Sequence, residues 1–335
     1  MKIAALGEIM LRLKSPGEER LFQSPVLEAT FGGAEANSVI SLANYGMQTK
    51  MITALPNNDI ALNILRTLRA FSVDTSDIVL SDGRVGIYFV EKGAGQRPQK
   101  IVYDRAYSSF STVSPDLFDF SSMLSDCTWL HLSGVTPALS ETTAALTLNA
   151  AKAAKKLGIT VSCDLNYREN LWNYGKSAKD VMGELMQYTD VVIANEEECQ
   201  KVLGIDAAGG SDDAISSEKF ETISREILKR YPNVSTVSII LRQNKAANLY
   251  DLLACICNKD EFYFSEKYEI DAITDRIGAG DSFGGGLIYG LLNYENTGDA
   301  VEFALAASCL KHSVMGDFNR VSKEEVEALM RKKRA

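Results

Sequence analysis

The stretch DRIGAGDSFGGGLIYGLL, residues 275–292, decides how this chain is read. An Ile-Gly-Ala-Gly-Asp turn runs directly into an apolar, helix-like pattern. Gly278 and Gly280 permit tight curvature and leave backbone amides pointing outward. The start of the following helix adds the positive end of its dipole. Gly278, Ala279 and Gly280 thus form a candidate anion site, suited to charge developing on a transferring phosphoryl group. Asp281 stands beside it. A carboxylate is repelled by phosphate unless it has a task, and the natural task is accepting the proton of an attacking hydroxyl. On spacing alone, a glycine-rich loop with an Asp N-cap explains the same residues equally well.

Working outward, the second informative stretch is FGGAEANSVISLANYG, residues 31–46. Gly32 and Gly33 open a helix whose first polar residues are Glu35, Asn37 and Ser38. The small residues let a ligand approach, and Asn37 offers both a donor and an acceptor. Taken alone, this pattern is more often simply a helix start.

Between these stretches, short apolar runs alternate with helical patterns. Strands are expected at residues 3–6, 129–132, 160–163, 190–194 and 238–241, and helices at 140–157, 178–188 and 218–230. Ser140 is the expected N-cap and Gly158 the stop of the first of these helices. Continuous buried strands with intervening helices imply an α/β fold with a parallel sheet covered on both faces. Four pieces break that rhythm, at about residues 8–14, 26–31, 85–92 and 100–104. They alternate in strand fashion, and GAGQRP at 93–98 supplies a turn between the last two. A small antiparallel sheet projecting from the main body is the expectation. Residues 206–217, DAAGGSDDAISS, read as a surface loop.

The chain has 335 residues with 46% apolar and 24% charged content, enough for one α/β domain with an appended smaller element. Its net charge of −9 argues against a general nucleic-acid partner. No run approaches the roughly 18 apolar residues of a membrane span. The six cysteines form no CxxC pair, and two histidines give little to build a metal site from. Buried, reduced thiols in a cytoplasmic protein are expected. The first strand ends in Gly7-Glu8 without a dinucleotide fingerprint, which removes a dehydrogenase reading.

Together, GGAEAN near the start and DRIGAGDSFGGG near the end resemble the two signature regions of the ribokinase/PfkB carbohydrate kinases. Order, separation and total length agree, and the pair is specific where each half is not. The resemblance implies a Rossmann-like three-layer αβα domain spanning residues 1–335 with a β-sheet lid. It implies a sugar between lid and body, ATP along the C-terminal strand ends, and Asp281 as general base. Residues 195–198, NEEE, are similar to the family's Asn-x-x-Glu motif. By that likeness Asn195 lies near the phosphates and Glu198 acts through water on Mg²⁺. Arg242 is a further expected nucleotide contact.

Within the family, VYDRA at 102–106, DLNYRENLW at 164–172, GDFN at 316–319 and Tyr88 resemble the branch acting on keto-deoxy sugar acids such as 2-keto-3-deoxygluconate. That implies Gly32, Gly33, Asn37, Tyr88, Tyr103, Arg105, Asp164, Asn166 and Arg168 around the sugar. Two arginines suit a carboxylate, which a guanidinium grips with parallel hydrogen bonds. Phosphorylation of the acid's 6-hydroxyl is the leading expectation. Fructose or another neutral sugar is the alternative, and a non-catalytic sugar or nucleotide sensor a distant one. Two departures stand out. Relatives carry a glycine turn where this chain has LRQNKAA at 241–247, and Thr is frequent where Arg276 stands. Lys311 and His312 are placed near the adenine. Open lid edges suggest pairing of two subunits.

Overall fold

The computed structural model describes residues 1–206, 216–246, 249–271 and 273–334. Its main sheet is built on strands buried from end to end, such as Trp129–Ser133 and Val191–Ala194. Such strands need cover on both faces, and they have it. The parallel part runs, in spatial order, Thr236–Ala246, Val191–Ala194, Thr160–Asp164, Trp129–Ser133, Lys2–Leu6, Gln48–Ile52 and Val73–Asp74. Leu249–Asn258 then pairs antiparallel with Thr236–Ala246, and carries Phe262–Phe264 and Tyr268–Ile270 on its far side. One face packs the helices Glu141–Lys156, Ala178–Leu185 and Ser217–Arg230. The other face packs Ala279–Asn293 and Thr297–Lys311. This is the three-layer αβα arrangement expected.

The lid is a four-stranded sheet in the order Glu28–Gly32, Met10–Lys14, Ile87–Glu91, Lys100–Asp104. The expectation of an antiparallel sheet is corrected at its centre. Met10–Lys14 and Ile87–Glu91 pair in parallel, because the chain returns to the body between them. The two outer pairings are antiparallel. The expected turn at 93–98 closes with reciprocal Ala94–Arg97 backbone bonds.

Local chemistry sets the boundaries. Ser140 caps its helix in a capping box with Thr143. The helix expected over 178–188 is α-helical to Leu185 and finishes as a 3₁₀ turn, Met186–Tyr188. Asp190 lies just outside its strand, where its carboxylate accepts from the Val161 amide and from Lys155. The strand expected to stop at residue 241 runs on through Ala246 as one arm of the long antiparallel pair. No glycine turn is required at 242, which accounts for the glycine missing there. Of the loop expected at 206–217, residues 207–215 lie outside the described residues, and the helix after it starts at Ser217. All six cysteines are free, five buried and Cys309 half-buried. Among the described residues, no helix is long and apolar enough to cross a membrane.

Candidate active site

The parallel strands end on one side of the body, and the lid stands over those ends. Between them lies a cleft of about 530 Å³. In an open α/β sheet this is where ligands bind. Its walls bring together Gly33, Asn37, Tyr88, Tyr103, Arg105, Asp164, Asn166, Arg168, Asn195, Glu198, Arg242, Gly278, Gly280 and Asp281. Two named residues do not line it. Gly32 lies behind the wall, against Asp317 and the Tyr88 hydroxyl, and Ala279 is buried in the helix start.

The helix Ala279–Asn293 begins at Gly278, whose φ of 84° lies in the left-handed region. A side chain there would also overlap the Asp317 carbonyl. Gly278 is thus fixed by conformation and by close approach. Gly280 differs, since it is exposed and a Cβ on it would meet open space. Its bareness leaves room over the first helical amides, which have no partner within the helix.

Asp281 sits half-buried in the first turn. Its Oδ2 accepts from Asn37 Nδ2 at 2.6 Å, and Ser38 Oγ donates to its carbonyl at 3.0 Å. Asn37 Oδ1 accepts from the Gly33 amide at 3.3 Å. Asn37 is therefore engaged with the carboxylate beside it, and both its polar ends are occupied. Burial raises the Asp281 pKa. The Asn37 hydrogen bond opposes this, Asp317 adds to it, Arg168 and Lys311 oppose it, and the result is about 6. Such a group is ionised at neutral pH yet basic enough to take a proton.

Past the strand Thr160–Asp164, Asn166 takes a positive φ of 35° and turns the chain back over the sheet. Its amide donates to Asp164 Oδ1 at 3.1 Å. Asn195 caps the helix Glu196–Leu203 in a capping box with Glu198. Glu198 Oε2 accepts from the Asn195 amide at 2.9 Å and Oε1 from the Tyr167 amide at 3.1 Å. Burial first, then Glu198 and Asp281, push Asp164 well above the usual carboxylate range. Burial also raises Glu198. Two carboxylates crowded in one wall, each with lone pairs to spare, fit a hard cation that keeps several waters. Among the described residues, no cluster of three or more His, Cys, Asp or Glu could hold a metal directly.

The two arginines Arg105 and Arg168 are unlike each other. Arg105 is buried, and both its Nε, at 2.8 Å, and its Nη2 donate to Glu8 Oε2. Arg168 is exposed at the cleft and acts electrostatically on Asp164, Glu198 and Asp281. Tyr88 is 3% exposed and donates to Asp317 Oδ2 at 2.6 Å. Tyr103 is open to the cleft, with Arg105 5.6 Å from its ring.

Sequence reasoning gave no role to the network behind this wall. Arg12, from the lid strand Met10–Lys14, is 1% exposed and donates to Asp275 Oδ2 at 2.5 Å and Asp317 Oδ1 at 2.6 Å. Burial works against its charge, but Asp317 and Asp275 outweigh burial and raise its pKa. Arg12 thus ties the lid to both segments flanking the Gly278 turn. A charge in an apolar strand was its one visible signal, since buried charges come paired. Lys311 and His312 do not line the cleft. Lys311 Nζ donates to the Val314 carbonyl at 3.0 Å and weakly to that of Asp275 at 3.4 Å. His312 lies between Ser308 and the Tyr250 hydroxyl.

The pfkB family carbohydrate kinase model matches residues 1–323. A crystal structure of 2-dehydro-3-deoxygluconokinase from Thermotoga maritima superposes with a TM-score of 0.93 at 44% identity, covering 99% of this chain and 98% of that one. The 2-dehydro-3-deoxygalactonokinase of Haloferax volcanii is 29% identical over 335 residues, 98% of this chain and 96% of that protein. The 2-dehydro-3-deoxygluconokinase of Thermoproteus tenax is 25% identical over 335 residues, 99% of this chain and 94% of that protein. On this match over residues 1–323 and these relatives, the chain belongs to the pfkB family of carbohydrate kinases, and it is a sugar kinase.

Proposed function

We propose that this kinase transfers the terminal phosphoryl group of ATP to the 6-hydroxyl of 2-keto-3-deoxygluconate, the 2-dehydro-3-deoxygluconate of its relatives' names. The observation that carries the reading is Asp281, held by Asn37 at the start of a helix whose Gly278 and Gly280 line the cleft. Asp281 takes the proton of the hydroxyl as its oxygen bonds to phosphorus and the bond to the leaving ADP breaks. The Gly278 and Gly280 amides neutralise the equatorial oxygens, while the Ala279 amide is taken up by the Arg276 carbonyl at 3.3 Å, so that catalysis is mainly positioning and electrostatics. Arg168 and Arg105 face the carboxylate end of the sugar acid, Arg105 aligned by Glu8. Tyr103 packs on its carbon chain. Glu198 and Asp164 would hold Mg²⁺ through water, and the ion would offset charge on the ATP phosphates.

Selectivity for an acid rests on the two arginines, and the names of the Thermotoga, Haloferax and Thermoproteus relatives support it. The test is kcat/KM with ATP for 2-keto-3-deoxygluconate, its galactonate-derived epimer and fructose. Preference for a keto-deoxy acid is expected. A preference for fructose would overturn the acid and leave the kinase. We also propose that two copies pair through their lids. Both outer lid strands have a free edge among the described residues, and Val102 is 40% exposed. A dimer by sedimentation that Val102→Glu splits is the expected result.

A further inference from the structure

The lid strand Met10–Lys14 sends Arg12 into the body of the protein, where it is 1% exposed. Its Nη2 donates to Asp275 Oδ2 at 2.5 Å and its Nη1 to Asp317 Oδ1 at 2.6 Å. Both acids bear on the Gly278 turn. Asp275 Oδ1 accepts from the Ile277 amide at 3.1 Å, and its Oδ2 accepts from the Gly316 amide at 3.2 Å. Asp317 meets the turn with its backbone, since a Cβ on Gly278 would stand 2.1 Å from the Asp317 carbonyl oxygen. The Asp317 side chain faces the lid instead. Its Oδ2 accepts from Tyr88, on the strand Ile87–Glu91, at 2.6 Å, and lies against Gly32, at the end of Glu28–Gly32. Three lid strands thus bear on the residue that packs the turn.

Parting Arg12 from either acid would leave a buried charge without its partner, a far larger cost than losing a surface pair. Its planar fork also spans two carboxylates at once, which a lysine ammonium does not reproduce. Lid strand, acids and turn are therefore held as one unit. The sugar side of the cleft is joined to that unit through the lid sheet. Tyr103 lies on Lys100–Asp104, which pairs with Ile87–Glu91, which pairs in turn with Met10–Lys14.

We propose that Arg12 is a positioning residue for phosphoryl transfer, coupling a sugar held under the lid to the geometry of the Gly278 turn through Asp275 and Asp317. The inference rests on the proposed placement of the sugar beneath the lid and of the ATP phosphates at the turn, and it adds the residue that joins them. Sugar binding then tightens ATP binding, and by linkage ATP tightens sugar binding by the same factor. A second buried cation of the same strand supplies the control. Lys14 is 4% exposed, but its partner Glu28, 2.7 Å away, belongs to the lid itself.

The experiment is calorimetric binding of a non-hydrolysable ATP analogue with Mg²⁺, with and without saturating sugar, to the parent protein, Arg12→Lys, Arg12→Met and Lys14→Met. The sugar is the acceptor that the parent phosphorylates, 2-keto-3-deoxygluconate or fructose. A failed acid assignment therefore shows in the choice of acceptor and leaves the coupling measurable. In the parent, sugar should tighten analogue binding by roughly 5- to 150-fold. Arg12→Lys keeps the charge but not the fork, so that factor should fall below about a third of the parent value. Arg12→Met should bring it close to one, and Arg12→Lys carries the test if Arg12→Met does not fold. Lys14→Met also removes a buried lid charge, yet it should keep the factor within about twofold of the parent. A parent factor of one, an Arg12→Lys factor equal to the parent's, or an equal drop in Lys14→Met would overturn the inference.

Discussion

Two helix starts face each other across the floor of the cleft, and they are built alike. Ala34–Asn44 follows Gly33 and carries Glu35 in its first turn; Ala279–Asn293 follows Gly278 and carries Asp281. The two even touch, through the Asn37–Asp281 bond. Yet their acids have different characters. Glu35 is 1% exposed, and Thr136 donates to it at 2.7 Å. Burial lifts its pKa, only partly offset by that bond, to about 8, so it is mostly protonated at neutral pH. Asp281 is half-open to the cleft and stays near 6. A glycine followed by an acidic first turn therefore does not by itself make a reactive carboxylate. Solvent access and the nearest donor decide whether the acid stores a proton or accepts one.

The largest break in this comparison comes from Asp281→Asn. The amide keeps the shape but cannot take a proton, so kcat should fall by about 10²–10⁴-fold with little change in the sugar KM. In the parent, kcat/KM should rise with pH through about 6 as Asp281 ionises. Stopped assays from pH 5 to 8 check both points. An Asn variant within a few-fold of the parent would remove Asp281 from the base role.

The next effect separates the two arginines. Arg168→Ala should lower kcat/KM for the sugar acid by roughly 10–150-fold, the value of one charge-assisted bond, and that for fructose much less. Arg105→Ala should do this and also destabilise the protein by about 3–5 kcal/mol, because Glu8 is left buried without its partner. Glu8 Oε1 already lacks a hydrogen bond, so the carboxylate has little to fall back on. Chemical denaturation of both variants reads the difference. Equal stability of the two would mean that the Glu8 pair contributes nothing.

Smaller again is the contrast between the two glycines at 278 and 280. Gly278→Ala forces a side chain into left-handed backbone and against the Asp317 carbonyl, a cost of at least about 1–3 kcal/mol. Gly280→Ala meets open space, so it should fold normally and show its loss only in ATP kinetics. Thermal melts together with the KM for ATP test both halves.

The parts legible in the sequence were local ones. Alternation and apolar runs gave the strands, Ser140 gave its cap, and the Gly-Ala-Gly-Asp turn placed Asp281 next to a helix start. The Asp281 environment was not local. Asn37 is 244 residues away, and Arg12 reaches Asp317 across 305 residues. The parallel pairing in the lid is likewise long-range, set by where the chain returns and not by the alternation of either strand. The strand Gln48–Ile52 was hidden because Thr49 and Lys50 look like surface residues, yet both are buried. Lys50 is neutralised by Asp77 at 2.7 Å and Asp126 at 2.9 Å, partners that no periodicity reveals. The double role of Arg105, buried and paired with Glu8 while facing the cleft, was invisible for the same reason.

The smallest effect on turnover should come from Glu35→Gln, which makes it the sharpest test of the comparison. Glutamine has the shape of a protonated glutamate and can still accept from Thr136, so kcat should stay within about threefold of the parent at pH 7. Stability carries the signal. An acid whose pKa is raised on folding, here from 4.5 to about 8, stabilises the protein fully below the unfolded value. That contribution is lost as pH climbs toward the folded value. At pH 5, parent and variant should be nearly equal. By pH 8.5 the parent should have lost, relative to Glu35→Gln, on the order of a few kcal/mol. Denaturation at a series of pH values measures the difference between the two proteins, which cancels the titration of every other group. A difference that stays flat from pH 5 to 8.5 would show that Glu35 is already ionised. The two helix starts would then differ only in access to the cleft.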